Sequence, residues 1–254
     1  MQKSIAHFDW GVFGVQQAVK RGDTIIVVDV LSFSTSVAIA VKNSAFIFPA
    51  KSDEDAMNLK DQFRTEISVK RNEVPSKGKF SLSPATYYEI EPETKITLLS
   101  PNGATCTRQI DNSQSVFCGA LVNCSTVAEA AFNEAVKQNN NITVVACGER
   151  LKGSDDIHKI RMAVEDYLGA GAILSKIPLP KTAESIVCEN AYGKLANHVP
   201  DLIWKCESGV ELREINFGND IHIATNLNSI PIAPIYKNGF YQDFNKVISV
   251  SSLL

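Results

Sequence analysis

Six short apolar runs alternate with segments of helical pattern through the first 150 residues, and this alternation restricts the fold more than any other feature. The runs cover residues 24–30, 45–48, 66–69, 95–99, 115–118 and 142–146. Between them a 3.6-residue period predicts helices at 35–41, 53–62, 104–110 and 126–138. Strand–helix repetition of this kind implies βαβ units, and so an α/β fold with a mostly parallel sheet flanked by helices. Asp53, Glu54 and Asp55 stand in the first turn of the second helix, where acids suit the dipole.

Beyond residue 155 the pattern becomes mostly helical. Ile157, Ile160, Val164, Leu168 and Gly171 mark one face of a helix over 156–174. Further helices are expected at 182–195, 201–205 and 219–225, and a last strand at 230–235. The change near residue 150 suggests two parts: an α/β phosphate-binding domain, 1–150, and a smaller, mostly helical α/β part, 151–254. A polar stretch at 70–88, rich in turn formers, is long for a connection, and such loops are usually functional.

The 254 residues suffice for one large domain or two modest ones. A net charge of −3 and no Lys/Arg cluster give no reason to expect nucleic acid. No apolar run is long enough to cross a bilayer, and no secretory leader is evident. The six cysteines (106, 118, 124, 147, 188 and 206) include no C-x-x-C pair. They read as reduced thiols of a cytoplasmic protein. Neither they nor the four histidines fall at zinc-ligand spacing. The oligomeric state is open, a homodimer among the options.

In open parallel sheets ligands bind beyond the carboxyl ends of the strands. Here four strand ends lead into small hydrogen-bonding residues: Asp29 to Ser36, Ser100 to Thr105, Gly119 to Thr126, and Cys147-Gly148-Glu149. Small residues let backbone N–H groups approach an anion closely, and a helix beginning there adds unpaired donors. Ser34, Thr35, Ser100, Asn102, Gly103, Thr105 and Asn123 are therefore candidate contacts for a phosphate. Ser34, Ser100 and Asn102, like Ser125, are also good N-caps and turn residues, and Pro101-Asn102-Gly103 suits a tight turn. Asp29 interrupts the apolar run TIIVVDVL, and a buried carboxylate is costly unless paired, hydrogen-bonded or metal-bound. It is a candidate Mg²⁺ ligand or nucleophile. Glu149 follows a strand end directly. Glu165-Asp166 lies beside the apolar stripe of its helix, where a solvated face is the default. No Walker, dinucleotide or G-x-S-x-G motif is present.

Together these segments resemble the 2-phosphosulfolactate phosphatase family, Mg²⁺-dependent phosphatases of coenzyme M biosynthesis. The family's D-V-L-R-A-[ST]-T stretch is similar to Asp29-Val30-Leu31-Ser32-Phe33-Ser34-Thr35. Its [ST]-x-N-G-T turn resembles Ser100-Pro101-Asn102-Gly103-Ala104, and its N-[AC]-x-A-x-A region resembles Asn123-Cys124-Ser125. A loop with G-E and a later N-S-P resembles Asn72-Glu73 and Ser83-Pro84. Its C-A-G and L-E-D-x-x-x-A-G segments are similar to Ala146-Cys147-Gly148 and to Val164 through Gly171. Its late S-G and D-[IV] elements resemble Ser208-Gly209 and Asp220-Ile221.

The resemblance implies an α/β phosphatase with a small phosphorylated substrate, 2-phospho-3-sulfolactate. It also implies a Mg²⁺ cofactor, with Asp29, Glu165 and Asp166 as ligands and Asp29, Glu149 and Asp166 as catalytic groups. Glu73 joins the substrate contacts. Two departures stand out: Ser32 replaces the family's arginine, and Ala104 replaces a threonine. The segment holding Lys152, Asp155 and His158 is also unusual. A phosphatase for another phosphorylated acid, or a weakly active phosphate- or sulfonate-binding paralogue, is the alternative.

Overall fold

The apolar runs become strands of one large sheet, which is longer and more bent than their spacing suggests. The structure is a computed structural model and describes residues 4–110, 114–151, 153–154 and 156–247. Its strands are β1 (Ala6–Trp10), β2 (Thr24–Val28), β3 (Phe46–Ala50), β4 (Glu66–Ile67), β5 (Lys95–Leu99), β6 (Val116–Gly119), β7 (Ile142–Ala146), β8 (Glu149–Arg150), β9 (Ile160–Arg161), β10 (Pro234–Lys237) and β11 (Phe240–Asp243). Its helices are α1 (Gly11–Arg21), α2 (Phe33–Lys42), α3 (Asp53–Phe63), α4 (Gly103–Thr107), α5 (Cys124–Gln138), α6 (Val164–Leu174), α7 (Ala183–Leu195), α8 (Val199–Lys205), α9 (Glu207–Glu214) and α10 (Gly218–Ala224).

Nine strands form one sheet in the order β1-β7-β2-β6-β10-β11-β3-β5-β4, and β8 pairs with β9 in a separate hairpin. Two parallel groups, β1-β7-β2-β6 and β3-β5-β4, are joined through antiparallel pairing to the β10–β11 hairpin. The end of the described chain thus sits in the middle of the sheet. β2 and β7 are buried along their whole length and apolar apart from Thr24 and Thr143, as befits strands covered on both faces.

Helix α2 explains the bend. Phe33 through Val41 are all buried, and the helix packs against β3, β6, β10 and β11. A helix whose first nine residues are all buried has to be enclosed. The sheet encloses it by curling. β2 and β5 stand five places apart in the sheet order, which is about 24 Å if flat. Yet the turn after β5 touches the turn after β2, because strand twist accumulates over those places.

Some boundaries differ from the sequence expectation. The helix drawn over 156–174 begins at Val164; Ile160 belongs to β9, whose partner β8 contains Glu149. Gly148, at φ 68°, turns the chain into that hairpin. Ile160 folds over Gly148 and Gly11, so its place in the apolar period reflects core packing and not a helix face. The strands expected at 45–48 and 230–235 form at Phe46–Ala50 and Pro234–Lys237. β1, α1, α9 and β11 fall outside the elements expected from the sequence, although Val12, Val15 and Ala18 give α1 a buried face at helical spacing. Lys152 and Asp155 lie outside the described residues.

Candidate active site

The apolar strand β2 ends by delivering Asp29, 5 % exposed, to the concave side of the sheet. Its turn is tied from within. Ser34 donates its backbone N–H to the Asp29 carbonyl at 2.8 Å, and Asp29 N–H donates to Ser34 Oγ at 3.0 Å. Thr35 Oγ1 donates to the Val30 carbonyl at 2.9 Å. Ser34 and Thr35 therefore hold the turn that presents Asp29.

The carboxylate itself is clasped by two other segments. Gly103 N–H donates to Asp29 Oδ2 at 2.8 Å, Ser100 Oγ approaches the same oxygen at 3.5 Å, and Phe33 N–H reaches Oδ1 at 3.3 Å. The small residues after β5 are explained by this approach. A Cβ on Gly103 would run into the Phe33 ring and stand 2.8 Å from Asp29 Oδ2. The Gly103 amide is thus spent on Asp29, and the Asn102 amide on Ser100 Oγ at 3.3 Å. The donors expected to face an anion are largely engaged within the protein.

Glu149 approaches from the β8–β9 hairpin and is held by the side-chain amide of Asn102, whose Oδ1 accepts the Arg150 N–H at 3.2 Å. Asp166, in the first turn of α6, accepts from Val30 N–H at 2.8 Å and Gly148 N–H at 3.0 Å. One carboxylate thereby locks the Asp29 turn to the Glu149 hairpin. Both Glu165 and Asp166 are buried, contrary to the solvated default, because α6 is covered on nearly every side. Glu165 Oε2 accepts from the Cys206 thiol at 3.3 Å.

So much negative charge in a dry place shifts its own titration. Burial first, then the Glu149 carboxylate, pushes the Asp29 carboxyl up to about 7. Burial, with Glu165 and Glu211, raises Glu149 against the pull of Asn102 and Arg161. Asp166 is driven well above the carboxylate range by burial and then by Asp29 and Glu165. Burial also raises the Cys147 thiol, which makes it a small core residue and no nucleophile.

Asp29, Glu149, Ser100 and Asn102 line one cavity of about 220 Å³ together with Ser32 and Arg71. Arg71 was not singled out in the sequence. It comes from the 70–88 loop, donates from Nη2 to Ser32 Oγ at 2.9 Å, and pairs through Nε with Asp220 Oδ2 at 3.2 Å. Asp220 Oδ1 takes the Ser83 hydroxyl at 2.6 Å, and Phe217 lies under the guanidinium at 5.8 Å. The other expected contacts lie off this wall. Thr105 lines a small neighbouring cavity. Glu73 lines a larger one and pairs with Lys77 at 2.8 Å. Asn123 braces its own loop, accepting from Ala120 N–H and donating to the Cys118 and Ile232 carbonyls.

The sequence model of the 2-phosphosulpholactate phosphatase family matches residues 14–239. The chain belongs to that family. The matched span contains every residue of the cavity wall. No curated protein matches the sequence. Membership makes the chain one of a family of phosphoric monoester hydrolases. At Ser32, where the sequence resemblance leads us to expect an arginine, the hydroxyl accepts from the Arg71 guanidinium of a different loop. Among the described residues no three of His, Cys, Asp and Glu converge as a metal cage, and no helix is long and apolar enough to cross a membrane.

Proposed function

We propose that the chain is a Mg²⁺-dependent phosphatase for the phosphate ester of a 2-hydroxy acid. The reference substrate is 2-phospho-3-sulfolactate, hydrolysed to 3-sulfolactate and inorganic phosphate. One observation carries this reading: Asp29 and Glu149 line a single cavity together with Arg71, Ser32 and Ser100. That is the pairing of a cation-binding edge with an anion-binding edge that phosphoryl transfer needs.

Mg²⁺ commonly binds through one or two carboxylates and completes its shell with water and phosphate oxygens. The absence of a three-ligand cage among the described residues is compatible with that habit. The mutual charging of Asp29 and Glu149 supports it further, since a hard dication would relieve it. Asp29 and Glu149 are the residues that would hold the ion. When bound, Mg²⁺ supplies neutralisation of the phosphate oxygens and a more acidic water.

The chain's own groups do the rest. The Arg71 guanidinium grips an oxyanion with directed N–H groups, helped by the Ser32 and Ser100 hydroxyls. Glu149, half-buried and raised in pKa, takes the proton of the attacking water. Asp29 Oδ2 is already engaged by Gly103 and Ser100, which favours water over this carboxylate as the nucleophile. Asp166 keeps the two carboxylate-bearing turns in register. Six free thiols, five of them buried, support a reducing, cytoplasmic setting.

The test is phosphate release from 2-phospho-3-sulfolactate and 2-phospholactate, with Mg²⁺ and with chelator. Mg²⁺-dependent release is expected from one or both. Release that persists unchanged in metal-free enzyme removes the metal from the reading, and no release from either ester removes the activity.

A further inference from the structure

Beside the cavity that holds Asp29 lies a second one of about 710 Å³. The two share Arg71, Leu82, Pro101 and Ile215, so they adjoin along a common edge that carries Arg71. The first, at about 220 Å³, is below the span of about 300–1,000 Å³ usual for small-molecule sites, and the second is within it.

The walls of the two chambers differ in chemistry. Six of the twelve residues that line the larger one are apolar: Val69, Leu82, Leu99, Pro101, Ile215 and Phe217. Ile215 is 54 % exposed there, a cost the fold bears without a core partner for it. The acids on this wall, Asp53 and Glu73, oppose a second anionic group. Arg71 gives Nε to Asp220 and Nη2 to Ser32, and on the phosphatase reading its remaining N–H groups go to the anionic head, which leaves Lys70 as the other basic side chain of the lining. A sulfonate at that end would meet little compensation, whereas an apolar group would be desolvated against six apolar side chains.

We infer that the larger chamber is a specificity subsite. The preferred substrate is then a 2-phosphorylated acid whose side group is apolar and of isobutyl to phenyl size. This rests on the phosphatase reading: the phosphate and the acid's carboxylate occupy the small chamber, and the side group passes Arg71 into the large one. Arg71 then serves both as the grip on the anionic head and as the gatepost of the tail.

The test compares kcat/KM with Mg²⁺ for the 2-phosphate esters of lactate, 3-sulfolactate, 4-methyl-2-hydroxypentanoate and 3-phenyllactate. Burial of the side group is expected to favour the last two over phospholactate by about tenfold or more. Ile215→Asp, at an exposed position, should cut the phenyl-to-methyl ratio about tenfold, the ratio cancelling any common effect on the small chamber that Ile215 also lines. A sulfolactate ester turned over faster than the phenyl ester overturns the inference and leaves the phosphatase reading standing. So does equal turnover of all four. If no ester releases phosphate, that reading fails, and calorimetry with the matching non-hydrolysable phosphonates decides the subsite independently. Tighter binding of the phenyl phosphonate than of the methyl one supports the chamber's role, and equal binding rejects it.

Discussion

Asp29 Oδ2 receives the Gly103 amide at 2.8 Å, and that one hydrogen bond joins turns leaving two strands five places apart in the sheet. The contact needs a residue without a side chain. Gly103→Ala would press a methyl group against Phe33 and the carboxylate. A loss of about 1–3 kcal/mol is expected from overpacking, read by urea unfolding, together with a fall in kcat. Wild-type stability and activity in this variant would show that the turns do not depend on close approach.

Asp29 also makes a pH prediction whose sign is fixed by its raised carboxyl. The folded protein binds this proton more tightly than the unfolded chain. Stability therefore falls as pH climbs from the ordinary carboxylate range through about 7. Asp29→Asn removes that penalty. Its Tm should match or exceed that of the wild type by an amount that grows between pH 5 and pH 8, on the order of 5 °C at the upper end. Activity should drop about 100-fold or more. A Tm difference independent of pH would mean that Asp29 is not the buried titrating group.

Mg²⁺ should reverse the same penalty. At pH 8, saturating Mg²⁺ is expected to raise the Tm of the wild type by about 5 °C. At pH 5, where Asp29 is protonated, the rise should nearly vanish, because protons and metal compete for the same oxygens. Differential scanning fluorimetry with and without chelator reads this directly. An equal shift in Asp29→Asn would place the ion elsewhere.

Arg71 and Asp220 separate binding from positioning. Arg71→Ala should raise KM for a phosphorylated acid about tenfold or more, since a bidentate-capable cation is lost, and Arg71→Lys should recover only part of it. Asp220 touches the guanidinium and Ser83, not the cavity wall. Asp220→Asn should therefore raise KM less, with little change in kcat. A larger effect on kcat than on KM would give Asp220 a direct part in the chemistry.

Asn123 offers the opposite expectation. All of its side-chain bonds go to the backbone of its own loop and to Ile232. Asn123→Ala should lower stability by about 1–3 kcal/mol through unpaired buried groups, while kcat/KM of the folded enzyme stays within about threefold. A selective rise in KM without loss of stability would restore Asn123 to the substrate contacts.

Much of this architecture is written in local pattern. Residues 95–99 and 142–146 form strands with the bounds expected of them, because the buried interior of each is almost entirely apolar. Asp29 stands out for the same reason, as a charge at the end of such a run. Other features follow no period and no spacing. That Ile160 packs over Gly148 instead of extending a helix, that Asp166 is dry, and that Arg71 meets Ser32 from 39 residues away all depend on which elements the tertiary fold brings together. Hydrophobic period is a property of neighbours in the chain. Desolvation, the partner of an amide and the cation facing a carboxylate are properties of neighbours in space, and they exist once the chain has closed.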